Sequence, residues 1–216
     1  MKKSQQRLKT HRALMVAAIK LMSDDRSFSS ISLREVTREA GVVPATFYRH
    51  FNEMEDLAVE LVDYCFRPME NLVAGVRARR LTARQLVYES VGTFIRFARR
   101  HRRYFLFLTK ERLGGRSRVR TRIREQTQAM ALILGHDLIG LPEWQGIPIS
   151  IGQEVALMIM DQMMLILDEV LDLVPATAES DQIKIIARAR KKVWILLRGG
   201  LSYKERRGTH ILGGGG

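Results

Sequence analysis

Apolar residues recur three and four positions apart along almost the whole chain, the spacing of amphipathic helices. No segment longer than a few residues alternates with the two-residue period of a strand. Leu8, Met15, Ile19 and Met22 fall on one face of a first helix over about residues 4–24. Ser27 to Ser30 make a polar connection. Ser32-Leu33-Arg34-Glu35 then has the form of a capping box, with Glu35 reaching back to Ser32. Leu33, Val36 and Ala40 are the buried stripe of that short helix, and Gly41 stops it. A third short helix is expected over 44–50, with Pro44 in its first turn. A fourth runs over 53–79, where Pro68 is expected to kink or break it.

Further helical patterns follow at about 83–100, 102–112, 117–140, 149–174 and 179–205. Between them lie loops at Gly114-Gly115 and at 141–149, the latter holding Pro142, Gly146 and Pro148. There is no internal repeat. The expected fold is all-α, with a head over 1–52, a larger helical body over 53–208 and a disordered tail over 209–216.

Composition narrows the class. The 216 residues are 46% hydrophobic and 27% charged, as in a soluble globular protein, and 5 prolines are too few for a turn-rich β-sandwich. The single cysteine, Cys65, excludes an internal disulfide and CxxC zinc chemistry. Met1-Lys2-Lys3-Ser4-Gln5-Gln6 leads into no apolar run, and Asp161 interrupts the apolar stretch from Val155 to Leu167. The expected location is therefore the cytoplasm, at the nucleoid, without membrane insertion. Lys+Arg number 36 against 23 Asp+Glu, a net +13 that favours polyanionic partners. The excess is concentrated: residues 77–124 carry sixteen basic side chains against Glu89 and Glu111.

Two short helices joined by Gly41-Val42-Val43 form a helix-turn-helix pattern, whose second helix enters the DNA major groove. Phe47 and Phe51, four apart, turn inward, leaving Ala45, Thr46, Tyr48, Arg49 and His50 outward. The expected DNA contacts are Arg34, Pro44, Ala45, Thr46, Tyr48, Arg49 and His50, with Arg49 able to meet phosphate or guanine. Arg7, Lys9 and Thr10 add backbone contacts from the first helix. On spacing alone, an ordinary αα-hairpin with solvated Arg49 and His50 is the competing reading.

The run from Ile31 to Phe51, ISLREVTREAGVVPATFYRHF, resembles the signature of TetR-family transcriptional regulators, and the resemblance extends over residues 5–57. It implies a homodimer that binds an inverted-repeat operator, normally as a repressor. Family members commonly carry a lysine near the start of the fourth helix that grips a phosphate, and here that position is Met54. The segments Phe105 to Gly115 and Ala45 to Leu57 also resemble the FabR-like branch, where the lysine is likewise replaced by an apolar residue. That resemblance, shared with DesT-like regulators, implies repression of genes for unsaturated fatty-acid synthesis or desaturation, with long-chain acyl thioesters as effectors.

In the body, the 149–174 helix is apolar nearly all round, with Val155, Met158, Ile159, Met160, Met163, Met164, Leu165 and Ile166. Such a helix is expected to be buried on all sides, packed on the last helix and on a twofold mate. Met160, Met164, Val193, Trp194 and Leu197 are the expected dimer interface. Phe94, Phe97, Arg99, Arg103, Phe105, Arg112, Met158 and Met163 are the candidates for an apolar pocket with a cationic mouth, suited to long-chain acyl-CoA. Two plainer readings stand beside it: the methionines as ordinary core, and the arginines as a solvated face or as added attraction to DNA.

An alternative is a TetR-type regulator of efflux or catabolic genes that senses a hydrophobic drug or aromatic molecule, with Asp161 or Glu154 facing a cation. Asp161, Asp168, Glu169 and Asp172 have no histidine at ligand spacing, so no metal site is expected. His11, His50, His101, His136 and His210 lie far apart, and no GxSxG, GxGxxG or P-loop is present. No enzyme and no cofactor is expected, and Cys65 is expected to be packed rather than nucleophilic.

Overall fold

The computed structural model describes residues 2–77, 81–173 and 178–210, with side chains over 4–71, 81–173 and 179–203. Among these residues the regular structure is helical: α1 (Lys2–Leu21), α2 (Leu33–Glu39), α3 (Pro44–Phe47), α4 (Met54–Arg77), α5 (Ala83–Arg100), α6 (Arg102–Gly114), α7 (Ser117–Ile139), α8 (Ile149–Leu171) and α9 (Ala178–His210). No helix among them is long and apolar enough to cross a membrane. Of the expected tail, 209 and 210 continue α9, and 211–216 lie outside the described residues.

The chain forms two compact units that do not follow chain order. Unit 1 joins residues 1–68 to 101–126, and unit 2 joins 69–100 to 127–216. The boundary expected at 52/53 therefore does not divide the contacts: α6 and the first half of α7 cluster with the N-terminal helices.

Unit 1 is built around α1, α4 and α6. Leu14, Ala18, Phe47, Leu57, Leu61 and Phe107 are all fully buried. The apolar face of α1 begins at Leu14, and Leu8 is 69% exposed. Ser4 to Lys9 are all exposed, so the expected stripe stops where the packing around α1 stops. Of the kink or break expected at Pro68, the break is absent: α4 continues through that residue, and the boundary between the two units falls directly after it.

In unit 2, α5, α8 and α9 pack against one another. Trp144, completely buried, seats on Gly200, where a Cβ would lie 2.5 Å from the indole ring. Within the single chain α8 is packed on one side only, and the expected burial against a twofold mate concerns the other side. Ile159, Met163, Met164, Ile166 and Leu167 face inward, while Glu154, Met158, Asp161, Leu165 and Asp168 form an exposed edge.

Candidate nucleic-acid interface

The helix-turn-helix is held together by local hydrogen bonds that its sequence specifies. The Ser32 N–H donates to Glu35 Oε2 at 2.9 Å, and the Glu35 N–H donates to Ser32 Oγ at 3.3 Å, which completes the capping box. Arg26 Nη2 donates to the other carboxylate oxygen of Glu35 at 2.6 Å. The Ser32 backbone donor, followed by Arg26, holds the Glu35 carboxyl down at about 2.

Helix α2 ends in a Schellman arrangement. Gly41 adopts φ +68°, the Val42 N–H donates to Thr37 O at 2.9 Å, and the Gly41 N–H donates to Arg38 O at 3.1 Å. Only glycine takes that backbone conformation without strain, so Gly41 sets the angle at which the chain leaves α2 for α3.

Pro44 opens α3 at its first position. The regular helix is shorter than the sequence implies, ending at Phe47. Beyond it, turn hydrogen bonds from the Arg49 N–H to Thr46 O at 3.2 Å and the His50 N–H to Phe47 O at 2.8 Å carry the chain to Phe51. Phe47 and Phe51 are buried, with ring centroids 5.4 Å apart. That anchor turns Pro44, Ala45, Tyr48 and Arg49 outward, with Tyr48 63% exposed; Thr46 and His50 are half-buried, and Arg34 is exposed on α2.

One pairing was invisible in the sequence. The His11 ring of α1 stacks on Phe51 at 4.7 Å, its Nε2 lies 2.6 Å from Glu60 Oε2 of α4, and His50 stands 5.5 Å away. Partial burial, and then the positive neighbours His11, Arg7 and Arg49, push the His50 imidazole below its ordinary 6.5, against the pull of Glu60. Nothing in the local spacing of either histidine signals this contact.

The arginine-rich segment 101–126 lies against the same unit. Arg102 Nη2 meets Asp24 Oδ1 at 2.5 Å, and Lys110 donates to the carbonyl oxygens of Ser23 and Asp24. Glu111 is buried, its carboxylate accepts the Phe28 N–H, and burial raises its pKa. On α7, Arg118 Nη1 donates to Glu53 Oε1 at 3.1 Å and Nη2 to Asp56 Oδ1 at 2.9 Å. Arg122 grips Asp63 with two donors at 2.7 and 3.0 Å. Asp56 also accepts from the Asn52 N–H at 3.2 Å, and Arg118 holds its carboxyl below the usual carboxylate range.

A Schellman turn feeding a short, Phe-anchored helix with an outward Tyr-Arg-His run can present side chains to a groove. Residues 14–61 match the model of the family "bacterial regulatory proteins, tetR family". The helix-turn-helix and the helices that flank it are thus similar to the N-terminal domain of that family. The chain is also similar in fold to a TetR-like transcriptional regulator from Rhodococcus sp. RHA1, with TM-score 0.63 and 15% identity, covering 89% of this chain and 96% of that one. A second neighbour is the transcriptional regulator FadR from Bacillus subtilis in complex with stearoyl-CoA, with TM-score 0.65 and 13% identity, covering 87% and 98%. A third is the fatty acid degradation regulator FadR from Bacillus halodurans, with TM-score 0.60 and 13% identity, covering 88% and 96%. Family match and shared fold together support a TetR-type DNA-binding transcriptional regulator.

The expected effector residues are divided between the two units. Arg103, Phe105 and Arg112 belong to unit 1, whereas Phe94, Phe97, Arg99, Met158 and Met163 belong to unit 2. Phe105 is 1% exposed and packed in the core of its unit. Arg99 donates to Gln182 Oε1 at 2.6 Å, and Met158 lies on the outer edge of α8. A groove of about 370 Å³ on α5 is lined by Leu81, Arg84, Gln85, Tyr88 and Glu89, none of them an expected effector contact.

The expected interface set divides as well. Met164, Val193 and Leu197 are buried within a single unit 2, while Met160 and Trp194 are half-buried. Among the described residues, the large apolar side chains that α8 and α9 leave outward are Ile149, Met158, Leu165, Ile183, Ile195 and Tyr203. Cys65 is buried, and desolvation pushes its thiol far above the ordinary range, so it is packed and inert. Among the described residues no group of three or more His, Cys, Asp or Glu could hold a metal ion.

Proposed function

We propose that this protein is a homodimeric transcriptional repressor of fatty-acid synthesis or desaturation genes, whose affinity for an inverted-repeat operator is set by a long-chain acyl-CoA bound in the body. The outward Tyr48 and Arg49, with half-buried His50 beside them and Phe47 and Phe51 behind, carry the DNA-reading part. Tyr48 and His50 offer phosphate contacts, and Arg49 offers a fork for phosphate or guanine.

The acyl-CoA part is supported by the likeness to a regulator solved with stearoyl-CoA and by the interior of unit 2. Met163, Met164 and Ile159 supply adaptable apolar packing there. Among the described residues, Trp144 Nε1 and Gln162 Nε2 are buried donors without an acceptor, and a thioester carbonyl is one. A pocket for cationic drugs needs buried carboxylates, and Glu154 and Asp161 are instead exposed.

The dimer is supported by opposite charge on the two outer edges of unit 2. Helix α8 exposes Glu154, Asp161 and Asp168, and α9 exposes Lys191 and Arg198, beside an Arg188–Glu169 ion pair that already joins the two helices within the chain. A twofold contact that sets α8 against the partner's α9 matches these signs twice over.

Mapping the DNA bound in the source cell tests the regulatory role. An inverted repeat upstream of fatty-acid synthesis or desaturation genes is expected, and binding confined to transporter promoters would contradict it. Thermal shift tests the effector: oleoyl-CoA should raise the melting temperature, and tetraphenylphosphonium should not.

A further inference from the structure

The chain places an obstacle to DNA directly after its DNA-facing segment. Four residues beyond Arg49 stands Glu53, directly before α4, and Glu55 and Asp56 follow in the first turn of that helix. A phosphate backbone lying along 44–50 meets this turn next, and like charges at such range repel.

The turn is covered from α7. The Arg118 guanidinium spans Glu53 and Asp56, at 3.1 and 2.9 Å, and Arg116 Nη1 stands 3.8 Å from Glu55 Oε2. Both cations remain open to solvent, with 53% of the Arg118 side chain and 68% of the Arg116 side chain exposed. Ion pairs this exposed contribute little to stability. A guanidinium has five N–H donors in a planar fork, so an exposed one can hold a carboxylate and a phosphate together.

We infer that Arg116 and Arg118 are part of the DNA interface: they cancel the carboxylates that open α4 and grip the phosphate backbone beside the recognition segment. The inference rests on reading 44–50 as the DNA-facing segment. It gives the arginine-rich start of α7 a partner, the sugar–phosphate backbone, with no base preference. It also supplies a cation at the place where Met54 leaves α4 without one.

The test uses the full-length protein and a random-sequence DNA duplex about three helical turns long, because a phosphate contact is independent of sequence. Arg116→Gln and Arg118→Gln should each lower affinity several-fold at roughly 0.1 M salt and flatten the slope of log affinity against log salt by about 0.9. Arg118→Lys should restore most of that slope. Glu53→Gln should strengthen binding.

That opposition of signs separates the inference from a structural role. If Arg118 merely braces α4, Arg118→Gln and Glu53→Gln break the same pair and weaken binding together with the salt slope unchanged, which overturns the inference. Unchanged binding by Arg118→Gln, alongside weakened binding by Arg49→Ala, also overturns it while leaving the recognition segment intact. Failure of the unsubstituted protein to bind any duplex overturns both.

Discussion

In unit 1 the charged side chains of different helices face one another. Arg26 meets Glu35, Arg118 meets Glu53 and Asp56, Arg122 meets Asp63, and His11 meets Glu60. In unit 2 one such pair, Arg188 with Glu169, joins α9 to α8, while other acids along α8 and bases along α9 lie on the outside, with Met158, Leu165 and Ile195 set among them. Under the proposed function the contrast corresponds to two kinds of partner. In unit 1 the carboxylates of α4 are taken up by Arg118, Arg122 and His11, and a short segment is left outward, which the proposed function assigns to DNA. Unit 2 leaves complementary edges and apolar side chains together, the pattern of a surface that closes on its own copy.

The strongest way to break the unit 1 half of this contrast is Phe47→Ala. It removes a completely buried ring from behind the recognition segment and should cost about 3–5 kcal/mol, seen as a lowered unfolding midpoint with loss of DNA binding. The matching test of unit 2 is Leu165→Glu, at a side chain 57% exposed in the single chain. A carboxylate trapped in a twofold contact should weaken the dimer by about 3 kcal/mol, while leaving the fold of the separated chain intact by circular dichroism. Sedimentation showing an undisturbed dimer would move the interface elsewhere.

Smaller effects sharpen the reading of unit 1. Arg49→Ala should cost about 1–3 kcal/mol of DNA affinity with no change in unfolding. Ser32→Ala should cost about 1 kcal/mol of stability through the lost cap. Its partner Glu35 has a folded pKa of about 2, below the ordinary carboxylate value, so its contribution is present above pH 4.5 and fades as pH falls toward 2. Acid unfolding of Glu35→Gln against the unsubstituted protein reads this difference.

His50 supplies the finest test. Its imidazole, facing Arg7, His11, Arg49 and Glu60, is held below 6.5 and is neutral at pH 7 in the free protein. A phosphate oxygen beside it favours the protonated form, so DNA binding should take up a proton. Affinity should then rise, by less than tenfold per pH unit, as pH drops from about 7 to 6. His50→Gln should remove that slope.

The parts of this fold that were legible in the sequence are those coded within a few residues of one another. The Ser32–Glu35 box, the Gly41 stop, Pro44 and the Phe47/Phe51 pair each act over a single turn, and the recognition segment follows from them. What escaped was long-range. Nothing in the 101–126 spacing says that Arg118 lies over Glu53, or that α6 and the start of α7 share a unit with α1. His11 and His50 meet only because α1, α4 and the chain after α3 converge.

Body helices posed a different difficulty. Methionine and leucine occur on every face of α8, so periodicity cannot tell the face packed within the chain from the face left for a partner. The expected interface residues Met164, Val193 and Leu197 accordingly turned out to be interior, and Leu165 and Ile195 proved to be the outward ones.

The central claim, that an acyl chain in the body sets the DNA affinity of the head, is tested most directly by one titration. A duplex selected by the protein from random sequence would be followed by fluorescence anisotropy at fixed salt, with oleoyl-CoA and palmitoyl-CoA added separately. We expect the two ligands to shift the dissociation constant in different directions, with a coupling of about 1–3 kcal/mol. Tight DNA binding that neither ligand changes would contradict the lipid-sensing account and leave a DNA-binding regulator with a different effector.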